Sequence, residues 1–188
     1  MLSFQDKQDI KEFYQKRYQE HTPVTSNADG FVMRIAGVLD YRKCSEQLQV
    51  PTWLVHLADY LFDKLPRDTA IQFGASLLEA IPVGLDLEHY KHKLAISAFD
   101  PWAPHLPFIQ ECVDYHAAAL SGLEVTDFND EIHFELAVAC LECNSKNPVL
   151  NAALASLYYE DGPRNVVYAL QGLQVEEASA LLISTLKG

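Results

Sequence analysis

Histidine and carboxylate side chains occur together at helical spacing in several parts of the chain. The clearest case is Asp86, His89 and His92, which are three residues apart and would lie along one side of a helix. Imidazole and carboxylate groups can together bind a first-row transition metal. Lys91 and Lys93 flank these residues, and their positive charges disfavour a bound cation. The segment is therefore interpreted as a solvated polar helix face, with a metal site at His89 and His92 as the alternative.

Weaker pairs of the same kind occur elsewhere. Asp130 and His133 are three residues apart. The remaining sets are Glu135 after His133, His56 with Asp59, and Glu111 and Asp114 with His116. Two-metal carboxylate sites in helical bundles use Glu-x-x-His on two helices, and the sequence contains no such motif. The weak metal candidates are therefore His89, His92, Asp130 and His133, and no catalytic residue, cofactor or cofactor-binding residue is predicted.

Cys140 and Cys143 form the only paired-cysteine spacing in the sequence. On a continuous helix their β-carbons would be about 5–6 Å apart, whereas a disulfide needs about 3.8 Å. Zinc would need a second pair of ligands, and Cys44 and Cys112 are isolated in sequence. All four cysteines are interpreted as small core or boundary side chains that remain thiols.

Sequence signatures of nucleophilic catalysis and of phosphate binding are absent. Gly74-Ala75-Ser76 lacks the second glycine of a nucleophile elbow, and it falls in the middle of a predicted helix. No glycine-rich phosphate loop of the G-x-G-x-x-G type occurs.

The elements that would position these side chains are predicted to be helices. Apolar residues recur at three- and four-residue steps over residues 53–99, which predicts three short helices in succession. Thr52 is the predicted N-cap of the first, the second lies between Pro66 and Pro82, and Asp86 is the predicted N-cap of the third. Three short helices cannot bury their apolar faces alone, so they need the rest of the chain as packing partners.

The N-terminal part is predicted to be a helix from Ser3 to about Glu20, followed by a connector at residues 21–30. Ser3 and Asp6 have the spacing of a capping pair at the start of that helix. The connector is rich in residues that favour turns. Residues 31–188 form the remaining helical body.

A proline-rich crossing at residues 100–107 is predicted to interrupt the helical body, because it contains three prolines. Trp102 is expected to pack there against neighbouring aromatic side chains. Helices are predicted to follow from about 107 to 121, and the last from about 175 to 186. The sequence thus predicts an all-α single domain over residues 1–188, arranged as an irregular multi-helix bundle or a short stack of helix pairs.

Two segments of the chain resemble each other. Residues 51–73 can be aligned with residues 148–170, and the identical positions are Pro51 with Pro148, Leu57 with Leu154, Ala58 with Ala155, Pro66 with Pro163 and Arg67 with Arg164. An old duplication of a helix-turn-helix unit is one interpretation, and chance similarity between helical segments is the other.

A stretch of the central helices also resembles a known kind of protein. It contains L-F-x-x-L-P at residues 61–66 and L-x-A-I-P-V-G-x-D-L at residues 78–87. This stretch is similar to a segment of uncharacterised bacterial helical proteins. The resemblance implies a helical bacterial protein, and it assigns no functional residue because its motifs mark helix ends.

The chain carries 26 acidic and 14 basic residues, a formal net charge of −12. Such a charge repels phosphate backbones, so nucleic-acid binding is not predicted. No apolar run reaches the ~18 residues of a membrane-spanning helix, and the first residues lack the layout of a signal peptide. Four cysteines without a disulfide pattern suit a reducing compartment. These features predict a cytoplasmic protein that does not bind membranes.

Two functional hypotheses follow. The first is a non-catalytic protein-interaction module, for example an immunity or adaptor protein, whose acidic surface binds a basic protein partner. The second is a metal-dependent hydrolase or oxidase that uses the histidine and carboxylate pairs. The sequence does not predict an oligomeric state.

Overall fold

The computed structural model describes residues 3–21, 29–122, 149, 153, 170 and 173–188. Every regular element in these ranges is helical, which confirms the prediction of an all-α fold. The helices with defined bounds are α1 (Phe4–Glu20), α2 (Phe31–Ala36), α3 (Tyr41–Leu48), α4 (Thr52–Lys64), α5 (Arg67–Ala80), α6 (Tyr90–Phe99), a 3-10 helix (Ala103–His105), α7 (Pro107–Leu120) and α8 (Val175–Lys187).

The chain divides into two compact groups. The first group comprises residues 1–87 with 182–188, and the second comprises residues 88–181. A single domain over residues 1–188 stays a prediction. Most of the predicted connector at 21–30 and most of the segment at 148–170 lie outside the described residues, so the proposed duplication also stays a prediction.

Helix α1 is held at its start by its own side chains and further along by α5. Ser3 and Asp6 form the predicted capping pair: the Asp6 backbone N–H donates to Ser3 Oγ at 3.1 Å, and the Ser3 N–H donates to Asp6 Oδ2 at 2.8 Å. Lys11 Nζ donates to the carbonyl oxygens of Glu79 and Ile81 at 2.8 and 2.7 Å. The last carbonyls of a helix lack partners within it, so Lys11 caps the end of α5 and joins α1 to it.

The apolar steps predicted for residues 53–81 form the core between α4 and α5. Leu54, Leu57 and Leu61 lie on one side of α4 and are at most 1% exposed, and Phe73 and Leu77 of α5 are also buried. Burying each such side chain contributes about 1.5–3 kcal/mol relative to leaving it exposed. The packing of α4 with α5 therefore supports the remainder of the first group.

The predicted N-cap of α4 is wrong by one residue. Pro51 occupies the N-cap position with extended dihedral angles, and Thr52 is the first helical residue. The proline ring fixes φ, so the backbone is extended at Pro51 and enters the helix directly after it.

The predicted start of α6 at Asp86 is also wrong. The helix begins at Tyr90, and His89 precedes it at the N-cap position. Residues 82–89 are turns and irregular backbone, with Gly84 at φ +84°. Leu87 is buried within this irregular segment, at 3% exposure. Asp86, His89 and His92 therefore do not share one helix side.

The crossing at residues 100–107 contains a 3-10 helix, Ala103–His105, so it is not wholly non-helical as predicted. Trp102 is 40% exposed, and its expected packing against neighbouring aromatic side chains stays a prediction. Helix α7 ends at Leu120 and is followed by Gly122 at φ +76°, a conformation that glycine adopts readily. The predicted bounds of α7 and of α8 are confirmed within about one residue.

No helix in the described ranges combines the length and apolar character needed to cross a bilayer.

Candidate functional site

Of the four predicted metal candidates, the two that the structure describes differ in their exposure. His89 is exposed in the turn before α6, whereas His92 is buried in α6 at 8% exposure. The interpretation of His92 as part of a solvated face is therefore wrong. Asp130 and His133 lie outside the described residues, as do Cys140 and Cys143.

The structure instead pairs His92 with His116, a residue on α7. Their Nδ1 atoms are 3.0 Å apart, and the two residues are 8% and 5% exposed. One imidazole must donate a proton and the other must accept it, because two unprotonated nitrogens would repel each other. Phe99 stacks on His116 with ring centroids 6.5 Å apart, so the pair lies among aromatic side chains. This contact joins α6 to α7.

Burial determines the charge state of this pair. Desolvation lowers the pKa of His92 to about 4 and that of His116 to about 3, and the positive charge of Lys91 lowers both further. Both imidazoles are therefore neutral at pH 7, which is the form that binds metals and that makes a single mutual hydrogen bond.

The pair has two of the ligands that a metal site needs. The two nitrogens are 3.0 Å apart, and metal–nitrogen bonds are about 2.0–2.1 Å long. The nitrogen–metal–nitrogen angle would therefore be about 90°, as in octahedral or square-planar coordination. Among the described residues, no three histidine, cysteine, aspartate or glutamate side chains are grouped closely enough to hold an ion. Lys91 adds an unfavourable charge. In this part of the chain the pair is best described as a buried neutral hydrogen bond.

A buried ionic network occupies the first group. Arg34, 4% exposed, forms an ion pair with Asp29, 8% exposed, and Arg67 Nη2 contacts Asp29 Oδ2 at 2.8 Å. The Arg34 guanidinium also lies 5.1 Å from the ring centroid of Tyr18 and 5.9 Å from that of Phe62. Asp29 thus has two cationic partners, and Arg34 has one anion and two aromatic faces. These contacts offset part of the cost of burying both charges, although the buried Arg34 Nε makes no hydrogen bond to any described residue.

Tyr18 connects this network to α5. Its hydroxyl donates to the carbonyl oxygen of Ile71 at 3.2 Å. Its ring lies so close to Gly74 that a β-carbon there would be 2.0 Å from the hydroxyl oxygen. Glycine is therefore required at position 74 because α1 and α5 approach each other closely at this point. Ser76, two residues later, lies inside α5, where a nucleophile elbow cannot form.

His56 and Asp59, one of the predicted pairs, both contact Tyr41. Asp59 Oδ2 accepts from the Tyr41 hydroxyl at 2.7 Å, and Asp59 Oδ1 accepts from the Val32 N–H at 3.3 Å. The His56 ring stacks on Tyr41, with centroids 4.1 Å apart. These contacts connect α4 to α2 and α3, so both side chains have a structural role.

An apolar crevice between α2, α3, α4 and α5 is too narrow to admit a water molecule. Phe31, Leu54 and Leu77 contribute to its lining, which is entirely apolar. It contains no group that could act in acid-base or nucleophilic chemistry.

The two groups differ strongly in charge. Residues 88–181 contain 14 acidic and 4 basic residues, a net charge of −10. Residues 1–87 with 182–188 contain 12 acidic and 10 basic residues, a net charge of −2. Nearly all of the net charge of −12 is therefore in the second group.

Sequence reasoning missed both buried polar pairs, although each left a signal. Arg34 lies inside the otherwise apolar helix Phe31–Ala36, and a cation in such a helix indicates a buried partner. His116 follows Ile109 and Cys112 at helical spacing on the buried side of α7, which places its imidazole in the core.

Comparison of the chain with protein-family models, curated proteins and solved structures finds no match. The resemblance of residues 61–66 and 78–87 to bacterial helical proteins therefore stays a prediction.

Proposed function

We propose that the protein is a non-catalytic protein-interaction module that binds a basic protein partner through its second group. The observation that supports this function most is the net charge of −10 on residues 88–181, against −2 on the rest. A concentrated field of one sign steers an oppositely charged partner and accelerates association. Immunity proteins and adaptor proteins are two classes that would use such a surface.

The positions of the described acidic side chains support this proposal. In the second group Asp100, Asp114, Glu176 and Glu177 are exposed. In the first group Asp29 is buried and paired with arginines, so its charge is compensated internally. These four carboxylates of the second group are available to a partner, as are exposed carboxylates of the first group such as Glu12 and Asp63, so the difference between the groups is one of net charge.

Affinity capture with matched charge-reversal variants tests the function. The wild-type protein is immobilised, a cell extract is applied, and bound proteins are eluted in salt steps and identified by mass spectrometry. We expect a basic protein that elutes as salt screens the contact. The variant D100K/D114K should capture less of it, whereas E12K/D63K, which makes the same change in net charge on the first group, should capture as much as wild type.

Three results would contradict the function. They are the absence of any captured protein, elution that does not depend on salt, and equal loss of capture in the two variants. The last result would indicate an effect of overall charge rather than binding by the second group.

A metal-dependent hydrolase or oxidase is the second candidate function, and the His92–His116 pair is the observation that favours it. Metal analysis of the purified protein tests this candidate. Stoichiometric iron, manganese or zinc that is lost in H116Q, but retained in the exposed-site control H89Q, would support it. No metal in the wild-type protein after incubation with each ion and gel filtration would refute it.

A further inference from the structure

Trp102 is presented to solvent from a backbone turn that is fixed on both sides. Its N–H donates to the carbonyl oxygen of Phe99 at 2.8 Å, and its own carbonyl accepts from the N–H groups of His105 and Leu106 at 3.0 and 3.1 Å. Phe99 and Ala103 are buried, at 1% and 6% exposure, on either side of it. The backbone that carries the indole therefore needs no ordering when a ligand covers the side chain.

The exposure of Trp102 differs from that of the other tryptophan. The chain has two tryptophans, of which Trp53 is 4% exposed and Trp102 is 40% exposed. Tryptophan is enriched among the few residues that contribute most of the free energy of binding at protein interfaces. A partly exposed tryptophan on a hydrogen-bonded backbone turn is therefore suited to contact a partner.

The charge near Trp102 indicates what kind of partner fits. Asp100, two residues before it, is exposed, and the second group as a whole carries −10. Indole has the strongest attraction for cations among the aromatic side chains. The same group already contains a contact of this type, since Lys93 Nζ lies 4.7 Å from the ring centroid of Tyr90.

We propose that Trp102 is a contact point for the basic partner, and that an arginine or lysine of a partner segment stacks on its indole while neighbouring cations of that segment pair with Asp100. This inference rests on the proposed function and specifies its binding residue. The partner segment is a basic peptide stretch, because charge attracts it to the second group and the guanidinium or ammonium group contacts the indole.

Tryptophan fluorescence tests the inference directly. The probe is a synthetic peptide of alternating arginine and glycine, with a glutamine-glycine peptide of equal length as the neutral control. The variant W53F leaves Trp102 as the only emitting indole, and the wild-type protein is measured beside it in case W53F is destabilised. We expect the arginine peptide to shift the emission to shorter wavelength and to protect Trp102 from quenching by acrylamide, whereas the neutral peptide does neither.

Affinity measurements with three variants extend this test. In W102A, the affinity for the arginine peptide should fall about five- to tenfold, and W102F, which keeps an aromatic face, should lose less. The control F13A removes a 58% exposed aromatic side chain from α1 in the first group and should leave the affinity unchanged. Circular dichroism confirms that each variant is folded.

The outcomes separate this inference from the proposed function. Salt-sensitive binding of the arginine peptide with unchanged Trp102 emission and unchanged affinity in W102A would overturn the role of Trp102 and leave the acidic surface standing. No binding of the arginine peptide at low salt would overturn both. An equal loss of affinity in W102A and F13A would also overturn the specific role of Trp102.

Discussion

The two groups of helices bury polar side chains by different means. The first group buries a charged pair, Asp29 with Arg34, and adds a second cation from Arg67 and aromatic faces from Tyr18 and Phe62. The second group buries His92 and His116 as a neutral pair joined by one hydrogen bond. A buried polar group can thus be stabilised either by an opposite charge or by loss of its own charge. The two arrangements should respond differently to mutation and to pH.

The largest effect is expected when the buried charge pair is broken. Replacing Arg34 with methionine (R34M) keeps much of the side-chain volume and leaves Asp29 buried with only the exposed Arg67 as a cationic partner. We expect a loss of about 3 kcal/mol of unfolding free energy, measured by urea denaturation. The double variant R34M/D29L should recover part of this loss, because it removes the unpaired carboxylate. No recovery would indicate that packing, rather than charge, explains the effect.

Acid should destabilise the second group through its imidazole pair. The pKa values of His92 and His116 are about 4 and 3 in the folded protein and about 6.5 in the unfolded chain, so below pH 6.5 the unfolded state binds more protons. Stability should therefore fall as pH decreases from 6.5 towards 4.

The control for the pH prediction is the double variant H92L/H116F. It removes both titrating groups, so its stability between pH 6.5 and 4 should depend less on pH than that of the wild type. Parallel curves for the two proteins, obtained from urea denaturation at each pH, would show that other groups cause the dependence.

A smaller loss is expected at the close approach of α1 and α5. In G74A, the added β-carbon would overlap the Tyr18 hydroxyl oxygen, and we expect a loss of about 2–3 kcal/mol measured by urea denaturation. The double variant G74A/Y18A removes the overlap, so its loss should be less than the sum of the two single losses. Additive losses would mean that the two residues do not clash.

The smallest effect is expected for the exposed member of the ionic network. The Arg67 side chain is 63% exposed, so its contact with Asp29 is screened by solvent. The variant R67M should lose less than about 1 kcal/mol in the same denaturation measurement. A loss as large as that of R34M would show that Arg67, rather than Arg34, neutralises the buried carboxylate.

The sequence predicts those parts of the fold that depend on local residues. Ser3 and Asp6 cap α1 through backbone groups three residues away, and Pro82 and Gly122 end helices through their own dihedral preferences. Such features need no knowledge of the rest of the chain. For this reason the predicted bounds of α1, α5, α7 and α8 agree with the structure.

The candidate site is less predictable because it depends on distant residues. His92 and His116 are 24 residues apart in sequence, and their pairing requires the correct start of α6. Placing that start at Asp86 put His92 on the same helix side as Asp86 and His89, whereas the helix begins at Tyr90 and His92 is buried. The exposure of Trp102 is likewise not predicted by its residue type, since large aromatic side chains are on average well buried, whereas Trp102 is 40% exposed.

The salt dependence of affinity tests the central claim, that the acidic second group binds a basic partner, most directly. It is measured as the slope of log Kd against log salt concentration for the captured partner, by calorimetric titration. We predict a steep slope for the wild type and for E12K/D63K, and a shallower slope for D100K/D114K. A flat slope for the wild type, or the same slope for both variants, would contradict the account.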